Sequence, residues 1–240
     1  MKIETPEELI DVLRPVIKEI IHEEIKGLAP PTSAAHGYAV QEGLFSEAEC
    51  AELAALMDTL LEAEAEAGTI KSDSVIDTKI RDSEVAWFNS YSDFFSGHDA
   101  HLAQSAFIRM VGFGHVVRGS VLNGLPPLAS FPKERVQVTR YRPGHFYGDH
   151  RDNDSDDPMR RVLSMGVVLR HADQGGRFSF RDRTLPEEHE ELIHRPGSAV
   201  AFPSSAYHQV TPVEEGERLS LVLWMNGEAS QSDGDARQPG

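Results

Sequence analysis

The chain has 240 residues, 40% of them hydrophobic and 26% charged, and a formal net charge of −16 at neutral pH. This composition is typical of a globular protein with one sizeable core, and no apolar run is long enough to cross a membrane. The acidic balance argues against nucleic acid as a partner, because phosphate binding needs clustered Lys and Arg, and it would suit a neutral or basic substrate.

Two features of the sequence indicate the cellular compartment of the protein. Cys50 is the only cysteine, which excludes an intramolecular disulfide and fits a reducing environment. The N-terminus is acidic where a signal peptide would be basic and then apolar. We therefore expect a cytoplasmic protein.

Residues 1–28 are predicted to form an N-terminal helical extension. Thr5 to Glu8 resembles a capping box with Pro6 at the first helical position, and apolar residues then recur at steps of three and four. The helix either packs on its own domain or serves self-association, and both interpretations stay open. Residues 29–37, rich in Pro and small residues, are predicted to be a linker.

The next part of the chain predicts a short strand and two helices. We expect the strand over 38–45, a helix that opens with a capping box at Ser46 and runs to about residue 67, and another helix over 100–123. Residues 69–99 are less regular and rich in aromatic residues, which favours core packing over a substrate loop.

From residue 134 onward the pattern changes to strands separated by Pro and Gly turns. Strands are predicted over 135–141, 145–150, 161–170, 177–181, 190–194, 198–203, 207–211 and 217–226. About eight short strands predict a β-sandwich or jelly roll, and helices that precede a strand-only half predict an α+β fold in which helices brace one sheet. Residues 227–240 are polar and predicted to be a flexible tail.

A candidate metal site combines His150, Asp152 and His208. On a strand, residues two apart share one face, so His150 and Asp152 would point together. Two histidines and one carboxylate on a β scaffold form a facial triad that suits non-haem Fe(II) and leaves positions open.

Arg218 strengthens this prediction. Alternation along the last strand puts Arg218, Ser220, Val222 and Trp224 on one face and leucines on the other. A buried arginine is costly unless it meets an anion, and its planar fork matches a carboxylate. Either a ligand carboxylate or an internal Asp or Glu would satisfy it.

A specific resemblance follows from these residues taken together. The pattern Tyr141-x-x-Gly144-x-x-Tyr147-x-x-His150-x-Asp152, followed by Gly175-Gly176, Pro196-Gly197, Phe202-Pro203, His208 and Arg218, resembles the prolyl 4-hydroxylase-like branch of the 2-oxoglutarate and Fe(II)-dependent dioxygenases. The resemblance covers roughly residues 38–226 and is best from residue 135.

The resemblance implies a dioxygenase domain over 38–226, with a double-stranded β-helix (jelly roll) mainly over 134–226. It implies Fe(II) on His150, Asp152 and His208, and 2-oxoglutarate held by Arg218 and Tyr141, with ascorbate as a reductant. The implied reaction hydroxylates an unactivated C–H bond and releases succinate and CO2. Some relatives carry a second cosubstrate-binding Tyr that this chain lacks, so Arg218 is expected to lean on Ser164 or Ser220.

The substrate is left open by the sequence. The resemblance allows a free amino acid, a peptidyl residue such as proline, or a natural-product intermediate, and we predict Arg81, Trp87 and Trp224 as substrate contacts. Two alternatives remain, a cupin-like metal enzyme that does not use 2-oxoglutarate and a non-catalytic jelly-roll binding module.

Overall fold

A computed structural model describes residues 37–67, 70–72, 75–77, 80–89, 94–129, 135–153 and 161–227, together with positions 19, 31 and 132. For residues 66–77 only the backbone is described. The predicted extension over 1–28 (apart from position 19), most of the predicted linker and the tail after residue 227 lie outside the described residues. No helix within the described ranges is long and apolar enough to cross a membrane.

The described residues form three helices and fifteen strands. The helices are α1 (Glu47–Glu64), α2 (Gly97–Ser120) and α3 (Glu187–His194). The strands are β1 (Ala39–Gln41), β2 (Glu66–Ala67), β3 (Ile70–Ser72), β4 (Val75–Asp77), β5 (Arg81–Asp82), β6 (Glu84–Phe88), β7 (Val136–Tyr141), β8 (Phe146–His150), β9 (Arg161–Arg170), β10 (Gln174–Gly175), β11 (Phe178–Phe180), β12 (Ala199–Pro203), β13 (His208–Val210), β14 (Val213–Glu215) and β15 (Arg218–Asn226).

The strands pair in antiparallel fashion in two larger sheets and two hairpin-like pairs. The major sheet has seven strands in the order β1-β12-β9-β15-β7-β6-β2, and the minor sheet has four in the order β11-β13-β8-β5. The small pairs are β10–β14 and β3–β4. Residues of both larger sheets line one cavity, so the sheets face each other across it.

The main core lies on the outer face of the major sheet. Leu219, Leu221 and Leu223 of β15 are fully buried there, in one cluster with residues of α1 and α2 such as Met57 and Met110. The alternate residues of β15 face the cavity instead. The predicted alternation along this strand is therefore confirmed.

Helix α1 begins where its sequence predicts. The Ser46 hydroxyl accepts a hydrogen bond from the Glu49 amide, and the Glu49 carboxylate accepts one from the Ser46 amide, which completes a capping box. The helix ends at Glu64 because residues 66–67 leave it to pair with β6.

The predicted strand over 190–194 is wrong, because these residues belong to helix α3. Pro186 precedes the helix, and Glu187, Glu188 and Glu190 occupy its first turn. Acidic residues stabilise the positive end of the helix dipole. The short apolar pair Leu192-Ile193 suggested a strand, whereas the Pro-Glu-Glu start was the better signal.

We predict that Gly197→Ala destabilises the fold much more than Gly144→Ala. Both glycines have a left-handed backbone, with φ of 84° and 90°, which costs other residues about 1–2 kcal/mol. A Cβ on Gly197 would also lie 2.0 Å from the carbonyl oxygen of Phe45, whereas one on Gly144 would meet nothing within 4 Å. Overpacking raises the total loss at Gly197 to about 2–5 kcal/mol.

Urea unfolding of the two variants and the parent chain measures this difference. Equal losses of unfolding free energy at the two positions would show that the close approach of Gly197 to Phe45 is not a constraint.

Candidate functional site

Three predicted ligand residues converge at one end of β8 and β13, the two central strands of the minor sheet. His150 ends β8 and His208 begins β13, and the two are paired across the strands. Asp152 lies beyond the end of β8, where its amide donates a 2.9 Å hydrogen bond to the Ser204 carbonyl. One ligand atom from each of the three residues lies within 4.8 Å of the others. Contact with Ser204, and not a shared strand, therefore positions Asp152.

Backbone carbonyls determine the tautomer of both histidines. Nδ1 of His150 lies 2.8 Å from the Gly148 carbonyl oxygen, and Nδ1 of His208 lies 3.0 Å from that of Ala206. A carbonyl oxygen can only accept, so each Nδ1 carries the proton and each neutral imidazole keeps a lone pair on Nε2. Each Nε2 lies 3.5 Å from an oxygen of Asp152.

This arrangement of acceptors fits a metal cation. Burial lowers the pKa of His208 and favours its neutral form. Burial opposes ionisation of Asp152, and the pKa of its carboxyl is held well below its usual range while positive charge lies beside it, which His150 and His208 supply when they are protonated. A divalent ion would supply that charge when both imidazoles are neutral. Two lone pairs and a carboxylate thus point at one another, and a divalent ion between them satisfies all three. Two imidazoles and one carboxylate are the ligand set of non-haem Fe(II) sites.

Ser164 and Ser204 support the carboxylate, although the sequence did not single them out for this role. Both are fully buried, and their hydroxyl oxygens are 2.9 Å apart. A hydrogen bond from Ser164 contributes to the low pKa of Asp152. The Ser164 hydroxyl therefore serves the carboxylate, and Ser220, the other serine expected to support Arg218, is the one that lines the cavity with it.

Tyr147 is a further residue of the site that was quoted in the motif but given no role. Its ring stacks on the His150 ring, with centroids 3.4 Å apart and planes 8° apart. The Arg81 guanidinium carbon lies 4.6 Å from the Tyr147 ring centroid. Burial raises the pKa of Tyr147 to about 12, so the phenol stays protonated. The stack fixes the plane of the imidazole.

Arg218 lies in the same cavity, and no anion of the described part of the chain lies beside it. It is 5% exposed, and its Nε and Nη1 atoms are buried without a hydrogen-bond partner in the described part of the chain. Burial lowers the pKa of Arg218 to about 10, which still leaves it cationic at neutral pH. Its strand neighbour across the β7–β15 pair is the buried Tyr141, whose pKa is raised by burial. A buried unpaired cation marks an anion site.

The predicted substrate contacts divide into two groups. Arg81 and Trp224 line the cavity together with the two histidines, Asp152, Tyr141 and Arg218. Trp87 does not line it and instead packs against Trp224, with ring centroids 6.1 Å apart.

Two neutral histidines lie near Arg218 on the side away from the triad. His194 accepts a 2.9 Å hydrogen bond from the Phe178 amide through Nε2, and its Nδ1 donates to the Glu190 carbonyl at 2.7 Å. Burial first and then the charge of Arg218 lower the pKa of His194 to about 3. The same two causes lower the pKa of His171, whose ring centroid is 4.9 Å from that of His194.

Comparison with known proteins identifies this sheet region. Residues 136–226 match the model of the 2OG-Fe(II) oxygenase superfamily. This region of the chain is similar to that superfamily, and it contains His150, Asp152, His208 and Arg218. A PKHD-type hydroxylase from Maricaulis maris is 34% identical, across 49% of this chain and 56% of its own length. One from Shewanella sp. strain MR-7 is 38% identical, across 41% and 44%. The chain thus spans about half the length of the curated relatives that it matches.

Solved structures share the fold of this chain. A Pseudomonas putida prolyl-4-hydroxylase is 20% identical with a TM-score of 0.61, covering 89% of this chain and 100% of that one. A Trichoplax adhaerens prolyl hydroxylase, solved with a hypoxia inducible factor peptide fragment, is 14% identical with a TM-score of 0.63, covering 97% and 98%. These likenesses confirm the mixed helix and sheet class and the jelly-roll core.

We predict that stability falls as pH decreases below 6.5, and that His194→Gln reduces this dependence. The unfolded chain binds a proton on His194 near pH 6.5, whereas the folded pKa is about 3, so the unfolded state takes up more protons in this window. The contribution of His194 is about 1 kcal/mol lost between pH 7 and pH 5.5. Glutamine can still accept from the Phe178 amide but does not titrate.

Melting temperatures of the parent chain and the variant at pH 7, 6.5 and 5.5 test this. Parallel curves for the two proteins would show that His194 is not held neutral in the folded state.

Proposed function

We propose that this protein is a 2-oxoglutarate- and Fe(II)-dependent dioxygenase that hydroxylates an unactivated C–H bond and releases succinate and CO2. The observation that carries the proposal is the unpaired buried guanidinium of Arg218 in the same cavity as the His150, Asp152 and His208 triad. A metal site alone would not require the guanidinium of Arg218. A dicarboxylate that binds the metal through one carboxylate requires a cation such as Arg218 to bind its other carboxylate.

Each residue has a role that follows from its position. His150 Nε2, Asp152 and His208 Nε2 would hold the iron, and Arg218 would receive the distal carboxylate of 2-oxoglutarate through its planar fork. Tyr141, beside Arg218 in the strand register, would donate a hydrogen bond to the cosubstrate. When bound, the iron and 2-oxoglutarate supply the oxygen chemistry, and the protein supplies geometry and a site shielded from water.

The surrounding fold supports these roles. We infer that α1 and α2 brace the major sheet, since their buried residues form one cluster with the leucines of β15, the strand that carries Arg218. We also infer that residues 38–226 form the dioxygenase domain, with the 1–28 helix and the 227–240 tail as appendages.

The substrate class proposed here is an amino acid, a peptidyl residue or a natural-product intermediate. Peptidyl proline is one member of this class, because the structural relatives are named as prolyl hydroxylases and one was solved with a peptide fragment. A cupin-like enzyme without 2-oxoglutarate would leave Arg218 unexplained, and a non-catalytic module would have no need of three converging metal ligands.

Turnover of 2-oxoglutarate tests the proposal. The chain is incubated with Fe(II), 2-oxoglutarate, ascorbate and air against free proline, other amino acids and proline-containing peptides, and succinate and a gain of one oxygen are measured by mass spectrometry. Absence of succinate with every candidate, together with no binding of 2-oxoglutarate to the metal-loaded protein, would refute it.

We predict that His150→Ala abolishes iron-dependent turnover while the fold is retained. The variant leaves Asp152 and His208 as two ligands, too few to hold the ion in place. His98→Ala is the matched control. The His98 side chain is 75% exposed on helix α2 and does not line the cavity. Full activity in His150→Ala, with circular dichroism unchanged, would refute the metal assignment.

We predict two opposite effects for Arg218→Gln. The 2-oxoglutarate concentration for half-maximal turnover should rise about 30-fold or more, because losing one partner of a buried charge pair costs about 2–5 kcal/mol. The ligand-free variant should melt at or above the temperature of the parent chain, because it no longer buries an unpaired charge.

Arg218→Lys is the conservative comparison, since it keeps the charge and loses the two-pronged geometry. An unchanged 2-oxoglutarate dependence in Arg218→Gln would remove the cosubstrate role of this residue.

A further inference from the structure

Arg81 of β5 and Trp224 of β15 both line the cavity, and Trp224 lies six residues from Arg218 along β15. We propose that the part of the cavity beside Arg81 and Trp224 receives a carboxylate of the substrate, held by the Arg81 guanidinium and the Trp224 indole N–H. The inference rests on the proposed function, because it assigns the remaining cavity space to the molecule that is hydroxylated.

Arg81 is a cation with neutral partners only. Its Nε donates to the Ser83 hydroxyl at 2.9 Å, its Nη2 lies 3.4 Å from the Gln137 side-chain oxygen, and it also hydrogen-bonds Tyr141. No carboxylate within the described ranges forms an ion pair with it. The guanidinium has five N–H donors, so these contacts orient it and leave donor capacity for a ligand.

Trp224 provides a second, independent indication that the cavity binds a hydrogen-bond acceptor. Its side chain is among those lining the cavity, it is 5% exposed, and its Nε1 is buried with no hydrogen-bond partner among the residues that the structure describes. An indole nitrogen can only donate, and a buried donor without an acceptor is costly. Both Arg81 and Trp224 therefore call for an acceptor, which excludes an ammonium group at this place.

The charges of the cavity point the same way. Among the described residues that line it, the charged side chains are Arg81, Asp152 and Arg218. With the cofactors bound, the iron charge is balanced by Asp152 and the chelating carboxylate, and Arg218 is balanced by the distal carboxylate. Arg81 is then the one lining cation left without a counter-charge.

Arg81 is also held in a fixed relation to the iron site. Its guanidinium carbon lies 4.6 Å from the Tyr147 ring centroid, and that ring stacks at 3.4 Å on the ring of the proposed iron ligand His150. A carboxylate bound by Arg81 would consequently be anchored against the same stack that orients the ligand. This suits a substrate whose carboxylate is close to the carbon that reacts.

The substrate charge that the cavity favours differs from the one expected from overall composition. A net charge of −16 would suit a neutral or basic substrate, but the charge of a surface is averaged over the whole molecule, whereas recognition depends on the groups that line the site. The local donors here select an anion.

Tryptophan fluorescence tests the inference directly, because the chain contains two tryptophans, Trp87 and Trp224, and both belong to this region. The full-length protein is saturated with Mn(II) and 2-oxoglutarate without oxygen. It is then titrated with matched pairs that differ in one charge: acetate and acetamide, L-proline and L-prolinamide, and blocked Pro-Glu and Pro-Gln dipeptides. The same titrations in Trp87→Phe isolate the signal of Trp224.

We expect the carboxylate member of at least one pair to change the emission at a concentration at least about tenfold lower than its neutral partner, a difference on the order of one charge-assisted contact. A response to L-proline identifies a free α-carboxylate, and a response to Pro-Glu identifies an acidic side chain. In Arg81→Gln the ratio within the pair should fall to near one, and Arg81→Lys should restore part of it. Arg195→Gln, which removes an exposed arginine paired with Glu42, should behave like the parent chain.

The outcomes separate the two proposals. If 2-oxoglutarate does not raise the melting temperature of the Mn(II)-loaded protein, the proposed function fails. If 2-oxoglutarate does so but no carboxylate changes the emission more than its amide, the proposed function stands and this inference is wrong. The inference is also wrong if Arg81→Gln keeps the full preference, since Arg81 would then serve only to orient Tyr141 and Tyr147.

Discussion

The burial of Arg218, with no anion beside it among the described residues, is the constraint on which the rest of the structure depends. It places a positive charge at the start of β15, where no described side chain neutralises it and a ligand can. The leucines of the same strand determine this position. They are fully buried against α1 and α2. A shift of the strand register by one residue would turn these leucines toward the cavity and place Arg218 in the apolar core between the sheet and the helices. Apolar packing on one face thus directs a cation into the cavity on the other.

The candidate metal site depends instead on hydrogen bonds to the backbone at one end of the β8–β13 pair. Carbonyl oxygens of Gly148 and Ala206 each accept from Nδ1 of a histidine and so direct the Nε2 lone pairs inward. The Ser204 carbonyl accepts from the amide of Asp152. These contacts orient three acceptors toward one point before any ion arrives, which lowers the reorganisation that metal binding requires.

Local and overall electrostatics have opposite signs in this protein. The exposed surface is strongly acidic, which favours solubility. The cavity contains two arginines and one carboxylate among its described lining residues. Burial makes each of these charges matter more, because water no longer screens it. In the proposed function, the iron and a dicarboxylate would account for Asp152 and Arg218, and Arg81 would remain available for the substrate.

The sequence alone determined the features that depend on neighbours in the chain. The capping box at Ser46 and the alternation along β15 could be read from it, because local periodicity decides which face a side chain takes. His150, Asp152, His208 and Arg218 could be singled out by their resemblance to a family pattern, although Asp152 lies beyond strand β8 and not on it. Helix α3 was missed because two apolar residues, Leu192 and Ile193, cannot distinguish a short strand from a short helix.

Only the tertiary structure decided which polar groups find partners. Ser164 and Ser204 are 40 residues apart and meet beside Asp152, and Arg81 reaches the site through its pairing with Tyr147 on β8. Trp224 lines the cavity whereas Trp87 lies behind it. Burial and hydrogen bonding are properties of residues brought together from distant parts of the chain, so no reading of one segment could assign them.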